Sequence, residues 1–245
     1  MRRGHDVAVL TRRGTGGPAG AEAFAGDLTT GAGLERALAG VACVIDCANV
    51  TTASKRASVD YFTSTTQRLQ KAAAAAQVSH HVVLSILHVD RVPFGYYVGK
   101  LAQENVAQAG PVPVTVLRAA QFHEFAGQVL RQLRLGPLSV VPAMRVQPVA
   151  ATEVAAALAD AVEAGPRVRA PDIAGPRPES LPDLARQLIR HRGEHRAVLG
   201  LPLPGRVGRM MRNGDLLPGP DAVRRGPTFA AWLREQPAPT KIRSR

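Results

Sequence analysis

The sequence predicts an α/β chain with helices on both faces of a doubly wound parallel sheet. Short apolar runs recur at DVAVL (6–10), AEAFAGDLT (21–29), VACVIDCAN (41–49), residues 81–86 and PVTVLRAA (113–120). Helical stretches separate them: GLERALAG (33–40), residues 55–77 with the Ala72–Ala76 run, and residues 95–109. The apolar runs are continuous rather than alternating, as strands buried on both faces require. Strand–helix alternation of this kind builds a parallel sheet covered on both sides.

Taken in order, residues 2–5 (RRGH) read as the last turn of a helix with its glycine stop. The first run ends in Thr11-Arg12-Arg13. GTGGPAG (14–20) then reads as a solvent loop, because it lacks GxGxxG spacing and leads into no helix. After residue 122 the character changes. Residues 124–135 read as a helix, GPLSVVPA and RVQPVAA as short extended segments, and TEVAAALADAVEAG (152–165) as a helix with Thr152 as N-cap. APDIAGP reads as a strand, and Leu181 to Met211 as a helical stretch punctuated by proline. PTFAAWLRE closes the chain with a short amphipathic helix that carries the only tryptophan. The expected organisation is a sheet domain over 1–122, a second region over 123–236 and a disordered tail over 237–245.

Composition bounds the function. The chain has 245 residues, 45% of them hydrophobic, enough for a packed core. Two cysteines, Cys43 and Cys47, are too few for a disulfide framework and point to a reducing compartment, with both thiols expected buried. The N-terminal apolar run is too short for a secretory leader, and no stretch approaches the ~20 apolar residues of a membrane span. A cytoplasmic protein with no membrane partner is expected. The net charge is +12, and Arg186 to Arg245 holds 13 basic against four acidic residues. That tail has little aromatic interleaving and no nucleic-acid motif. With 27 arginines to four lysines, it reads as compositional bias, and nucleic acid is not an expected partner. The oligomeric state is not legible.

The chemistry concentrates between His81 and Leu117. An apolar run ends near Ser85, Tyr96 follows eleven residues later, and Lys100 four after that. Positions i and i+4 share a helix face, so Tyr96 and Lys100 can point together towards a serine at a strand end. An ammonium beside a phenol favours its ionised form and lowers its pKa. The phenol can then exchange a proton with a carbonyl or alcohol oxygen that the serine holds. The bland alternative is that Tyr96 packs and Lys100 is solvated. His88 and His123, the latter beside Glu124, follow strand ends; pocket lining or loop packing is the expected role, with proton shuttling the alternative. No third ligand is spaced to complete a metal site.

Ser85…Tyr96…Lys100, Thr11-Arg12-Arg13, Gly26-Asp27-Leu28, Cys47-Ala48-Asn49, and Leu117-Arg118 with Gln121-Phe122 together resemble the short-chain dehydrogenase/reductase superfamily, in its atypical NmrA-like branch. RVQPVAATEVAAAL (145–158) is similar to the segment that opens that family's substrate side. The resemblance implies a Rossmann-like fold with 1–122 as the NAD(P)-binding part. It places Arg12 and Arg13 at the 2′-phosphate of NADP, Asp27 at the adenine, and Ala48 and Asn49 along the cofactor. Lys100 would grip the nicotinamide ribose and tune Tyr96. A guanidinium suits a phosphate dianion, so NADP is favoured over NAD; solvated arginines and a turn-capping Asp27 remain the simpler readings. The implied function is an NADP(H)-dependent oxidoreductase acting on a small hydrophobic carbonyl or alcohol, or alternatively a non-catalytic NAD(P)-sensing regulator.

One family mark is missing. The strand and Gly-x-x-Gly-x-x-Gly loop that cradle the pyrophosphate have no counterpart, and Met1–His5 matches only the end of the helix after them. By the size of such a unit, roughly 25 residues are lacking. The strands at 6–12 and 21–28 are then expected to lose their neighbour on one side, and the strand at 41–48 to lose its neighbour too. Either the sheet closes up or a gap remains, and dinucleotide binding is weakened.

Overall fold

The computed structural model describes residues 3–52 and 54–237. In chain order the elements are β1 (Ala8–Thr11), β2 (Glu22–Ala25), α1 (Leu34–Leu38), β3 (Cys43–Asp46), α2 (Lys55–Ala75), β4 (His80–Ile86), α3 (Gly95–Gln108) and β5 (Val114–Ala119). They continue as α4 (Phe125–Gln132), β6 (Arg134–Leu135), β7 (Leu138–Pro142), β8 (Arg145–Val146), α5 (Ala151–Glu163), β9 (Val168–Arg169), β10 (Ile173–Ala174) and β11 (Glu179–Ser180). Last come α6 (Leu181–His191), β12 (Ala197–Leu201), α7 (Gly205–Asn213), β13 (Val223–Arg224) and α8 (Phe229–Glu235). The fold is α/β with a mostly parallel central sheet. The chain packs as two compact units. One takes the chain up to Ser85, Val89–Leu117 and Leu158–Ala170; the other takes Ile86–His88, Arg118–Ala157 and everything from Pro171.

In the first unit β4 lies between β3 and β5, and β9 runs parallel to β5 with Thr115 opposite Val168. β1 pairs in parallel with β2, Ala8 opposite Glu22. Among the described residues β1 pairs with β2 alone and β3 with β4 alone. β1 and β2 thus form a pair separate from the sheet that holds β3. β1 and β3 still share one helical layer: Leu10 and Val44 both pack on the cluster of Leu34, Leu38, Leu69, Ala73, Val78 and Val112. The open edge explains why Ile45, in the middle of β3, is 43% exposed. It also corrects the expectation of buried thiols: Cys43 is half-buried and Cys47 exposed. Among the described residues no helix precedes Gly4 (φ +79), and Arg3 donates to Asp160 and Glu163 at 2.8 and 3.0 Å.

α2 starts at Ser54, whose hydroxyl accepts from Ala57 N at 3.2 Å and satisfies one free N–H of the first turn. It packs closely on α3 at Gly99. A Cβ there would stand 2.1 Å from Ser58 Oγ and 2.9 Å from the Ser58 backbone carbon, which cannot swing away. Gly99→Ala is therefore expected to cost about 1–3 kcal/mol through overpacking, read as a lower urea midpoint with an unchanged m-value.

In the second unit Ala119 pairs with Ile173 of β10, and β10 with β13, all parallel. β7 holds β12 in parallel and β6 antiparallel. Phe229, Leu130, Ile173, Leu181 and Leu184 fill the core. Three sequence expectations are corrected here. The helix read over 124–135 ends at Gln132, because Gly136 (φ +57) and Pro137 turn β6 back onto β7. The stretch from Leu181 to Met211 is broken by Gly193 (φ +62) and by β12. Thr152 lies inside α5 rather than capping it: Ala150 O accepts the bond from Val154 N, so the helix starts one residue earlier. The tail from residue 238 lies outside the described residues.

Candidate functional site

Lys100 sits one turn after Tyr96 on α3 and is only 4% exposed. Its Nζ donates to Leu84 O at 2.6 Å and to Gln103 Oε1. Gln103 Nε2 donates on to Asp46 Oδ2 at 2.9 Å, and Asp46 Oδ1 accepts from Ala48 N at 2.9 Å. This fixes the Gln103 amide: its oxygen faces a group that can only donate, and its nitrogen one that can only accept. Beyond Asp46 stands His81, with Nε2 3.9 Å from Oδ2, too far for a hydrogen bond. Gln70 sets that ring. Val112 N donates to Gln70 Oε1 at 3.0 Å, so Gln70 Nε2 is the end that meets His81 Nδ1 at 2.8 Å. Nδ1 must accept, and the ring proton lies on Nε2, facing the carboxylate. Burial pushes the Asp46 carboxyl up. The His81 ring, the Ala48 N–H and the Lys100 ammonium outweigh that and hold it below the usual range.

Ser85 follows the carbonyl that Lys100 grips. Its hydroxyl is buried and has no hydrogen-bond partner among the described residues. The Tyr96 ring stands edge-on to Phe62 at 6.0 Å, and Lys100 Nζ lies 5.0 Å from the same Phe62 ring. Phe62 of α2 is thus the wall that both residues meet. No hydrogen bond joins Tyr96 to Lys100 or to Ser85 among the described residues. The polar side chain that favours the ionised phenol is Asn49, whose Oδ1 accepts from Val50 N at 2.9 Å. The expected downward shift of the phenol is reversed. Burial, then Tyr97, push Tyr96 up to about 12 against the small opposing effect of Asn49. Burial is the main cause; the Lys100 ammonium is committed to Leu84 O and Gln103 Oε1.

Arg12 and Arg13 are exposed beyond β1. The Thr11 hydroxyl is committed to Thr15, donating to its carbonyl at 2.9 Å. Asp27 Oδ1 accepts from Thr29 N and Oγ1, both at 2.7 Å, a turn-capping arrangement. Those two bonds, with Arg12 nearby, hold the Asp27 carboxyl low despite some burial. Leu28 packs on the core cluster. Burial, Asp46 and Asp27 push the Tyr61 phenol up, and Arg12 opposes them. Tyr61 and Phe62 meet edge-on at 5.3 Å, so α2 links the Arg12–Asp27 end to the Lys100 end. His88 Nε2 bonds Leu217 O at 2.8 Å.

A model of the NAD(P)H-binding family matches residues 1–164. The chain belongs to the NAD(P)H-binding family. Solved structures place its fold. MoeE5 in complex with UDP-glucuronic acid and NAD is 18% identical, with a TM-score of 0.68 over 96% of this chain and 90% of that one. The Citrobacter sp. triphenylmethane reductase complexed with NADP(H) is 18% identical, at 0.58 over 85% and 88%. The NADPH-dependent quinone oxidoreductase QOR2 of Escherichia coli, complexed with NADPH, is 22% identical, at 0.55 over 80% and 72%. These likenesses show the Rossmann-like fold. No curated protein matches. The orphaned buried hydroxyl of Ser85, next in sequence to the carbonyl that Lys100 grips, and the exposed guanidinium groups of Arg12 and Arg13 are groups of the kinds that suit a ribose and a phosphate.

Burial lowers Lys100 from 10.5 to about 8, although Asp46, Cys47 and Glu104 oppose it. A lysine with a depressed folded pKa costs stability while it is protonated. The unfolded chain holds more protons between the two values, so this group makes stability rise with pH there. Cys43, pushed up to about 11 by burial, acts in the opposite sense from pH 9 upward. The urea midpoint is expected to rise from about pH 8 to 9 in the wild type and to stay flat in Lys100→Met. An equal rise in both would remove Lys100 as its source.

Proposed function

We propose that this family member is an NADP(H)-dependent oxidoreductase of the NmrA-like short-chain dehydrogenase/reductase type, acting on a carbonyl or alcohol of a small hydrophobic molecule. What supports the reading is the buried, unpartnered Ser85 hydroxyl, next in sequence to the Leu84 carbonyl that Lys100 grips, together with Tyr96 and Lys100 meeting the same Phe62 ring. In this reading residues 1–122 hold the cofactor and 123–236 the substrate. Arg12 and Arg13 take the 2′-phosphate, Thr11, Asp27 and Leu28 flank the adenosine, and Ala48 and Asn49 line the path to Lys100. Bound nicotinamide supplies or accepts the hydride. Tyr96 donates the proton to the substrate oxygen, and Ser85 donates a hydrogen bond to the same atom. Lys100 holds the ribose hydroxyls with the N–H that Leu84 and Gln103 leave free.

The relatives' printed names include both NAD and NADP(H), so cofactor choice rests on the two arginines. NADPH is expected to bind about tenfold or more tightly than NADH in a fluorescence titration, and Arg12→Glu to erase the difference. Equal affinities in the wild type would sink the NADP assignment. A panel of quinones and ketones tests turnover. A second reading, an NAD(P)-sensing regulator, is supported by the commitment of the Lys100 ammonium to Leu84 O and Gln103 Oε1 rather than to the phenol. Tight NADPH binding with no oxidation across the panel would favour it.

A further inference from the structure

The second unit contains a cleft of about 600 Å³ between α4, α6 and α8, a size suited to a small organic ligand. Three features of its lining point to one kind of occupant. The first is His123, only 1% exposed, with its ring 5.1 Å from that of Trp232. Its Nε2 meets Pro227 O at 3.2 Å and must donate, since a carbonyl only accepts. Nδ1 is left as a buried acceptor with no partner among the described residues.

The second feature is a pair of guanidinium groups converging on the notch at Gly127. Arg192 Nη2 and Arg131 Nη1 lie 3.4 and 3.5 Å from the point a Cβ there would occupy. The two cations are therefore within about 7 Å of each other, where like charges repel unless an anion joins them. Glu194 does not neutralise both: it pairs with Arg196 and stands 3.7 Å from Arg192. Arg131 has no carboxylate partner among the described residues. Glu124 also lines the cleft, at the opposite end of α4 from Arg131. The third feature is the apolar wall of Leu188, Leu233 and Trp232, with His191 Nε2 a second buried nitrogen lacking a partner.

We propose that this cleft binds a small aromatic carboxylate bearing a hydroxyl group. The carboxylate lies on Arg131 and Arg192, the ring packs on Trp232 and the leucines, and the hydroxyl donates to His123 Nδ1. The site stands independently of the oxidoreductase reading.

Trp232 is the only tryptophan, so its fluorescence reports the cleft directly. The full chain is titrated with 4-hydroxybenzoate and 4-hydroxyphenylacetate, which differ in length, and with benzoate and 4-hydroxybenzamide as controls. A saturable change is expected with at least one hydroxy acid, with Kd below about 1 mM. Benzoate, lacking the donor, and the uncharged amide should each bind about tenfold more weakly. Arg131→Ala, at an exposed position that should leave folding intact, is expected to lose about tenfold in affinity with NADPH binding unchanged. The proposal is overturned if neither acid saturates, if the amide binds as tightly as the acid, or if Arg131→Ala binds like the wild type.

Discussion

Asp46→Ala is expected to lower the unfolding free energy by about 3–5 kcal/mol at pH 7, the cost of leaving a buried charge without its partner. Asp46 is 4% exposed and accepts from Gln103 and from the Ala48 N–H. Its charge also supports the protonated form of Lys100. Without it, the Gln103 amide and the Ala48 N–H lose their acceptors inside the protein, about 1–3 kcal/mol each. Asp46→Asn keeps the shape and an acceptor oxygen, so it should cost less. It should also move the titration of Lys100 below about 8, because a countercharge that now raises it is gone. Equilibrium urea unfolding measures the first effect and the lysine side-chain NMR resonance the second. The double variant Asp46→Ala with Lys100→Met is expected to cost less than the two single changes added together, because the residues act through one network. A loss under about 1 kcal/mol for Asp46→Ala, within the usual range for surface changes, would mean that the network carries little stability.

That network shows where the sequence stops being legible. Continuous apolar runs mark strands by themselves, so β3, β4 and β5 could be placed from residues alone, whereas the sequence left open whether the sheet closes up or divides. Asp46, Gln70, His81 and Gln103 lie on four elements and meet only after folding. Their one local signal is a carboxylate ending the apolar run CVID and glutamines among the buried positions of α2 and α3. Spacing likewise placed Tyr96 and Lys100 on one helix face. It could not say which acceptors the ammonium would choose, and Leu84 O and Gln103 Oε1 decided that. The two-residue turn at Gly136-Pro137 and the strand β12 were hidden for a related reason. β12 is defined by its pairing with β7, and no local pattern announces it.

Under the oxidoreductase reading, Tyr96→Phe is expected to lower kcat about 100- to 10,000-fold, the usual contribution of a positioned proton donor, with NADPH affinity unchanged. The substitution removes one oxygen and leaves the ring against Phe62 and Tyr97, so the fold should hold. Tyr97→Phe provides the control: an equal loss there would move the proton donor one residue along α3. The pH profile separates the phenol from the ammonium. Tyr96 keeps its proton up to about 12, so carbonyl reduction should not lose its donor anywhere in the working range. Lys100 releases its proton near 8. The value of kcat/KM, which reports groups of the free enzyme, should therefore fall as pH rises through about 8, with that limb absent in Lys100→Met. A limb near 8 that survives in Lys100→Met would assign it to another group. Unchanged turnover in Tyr96→Phe would take the phenol out of the chemistry and leave Ser85 and Lys100 as groups that bind without transferring a proton.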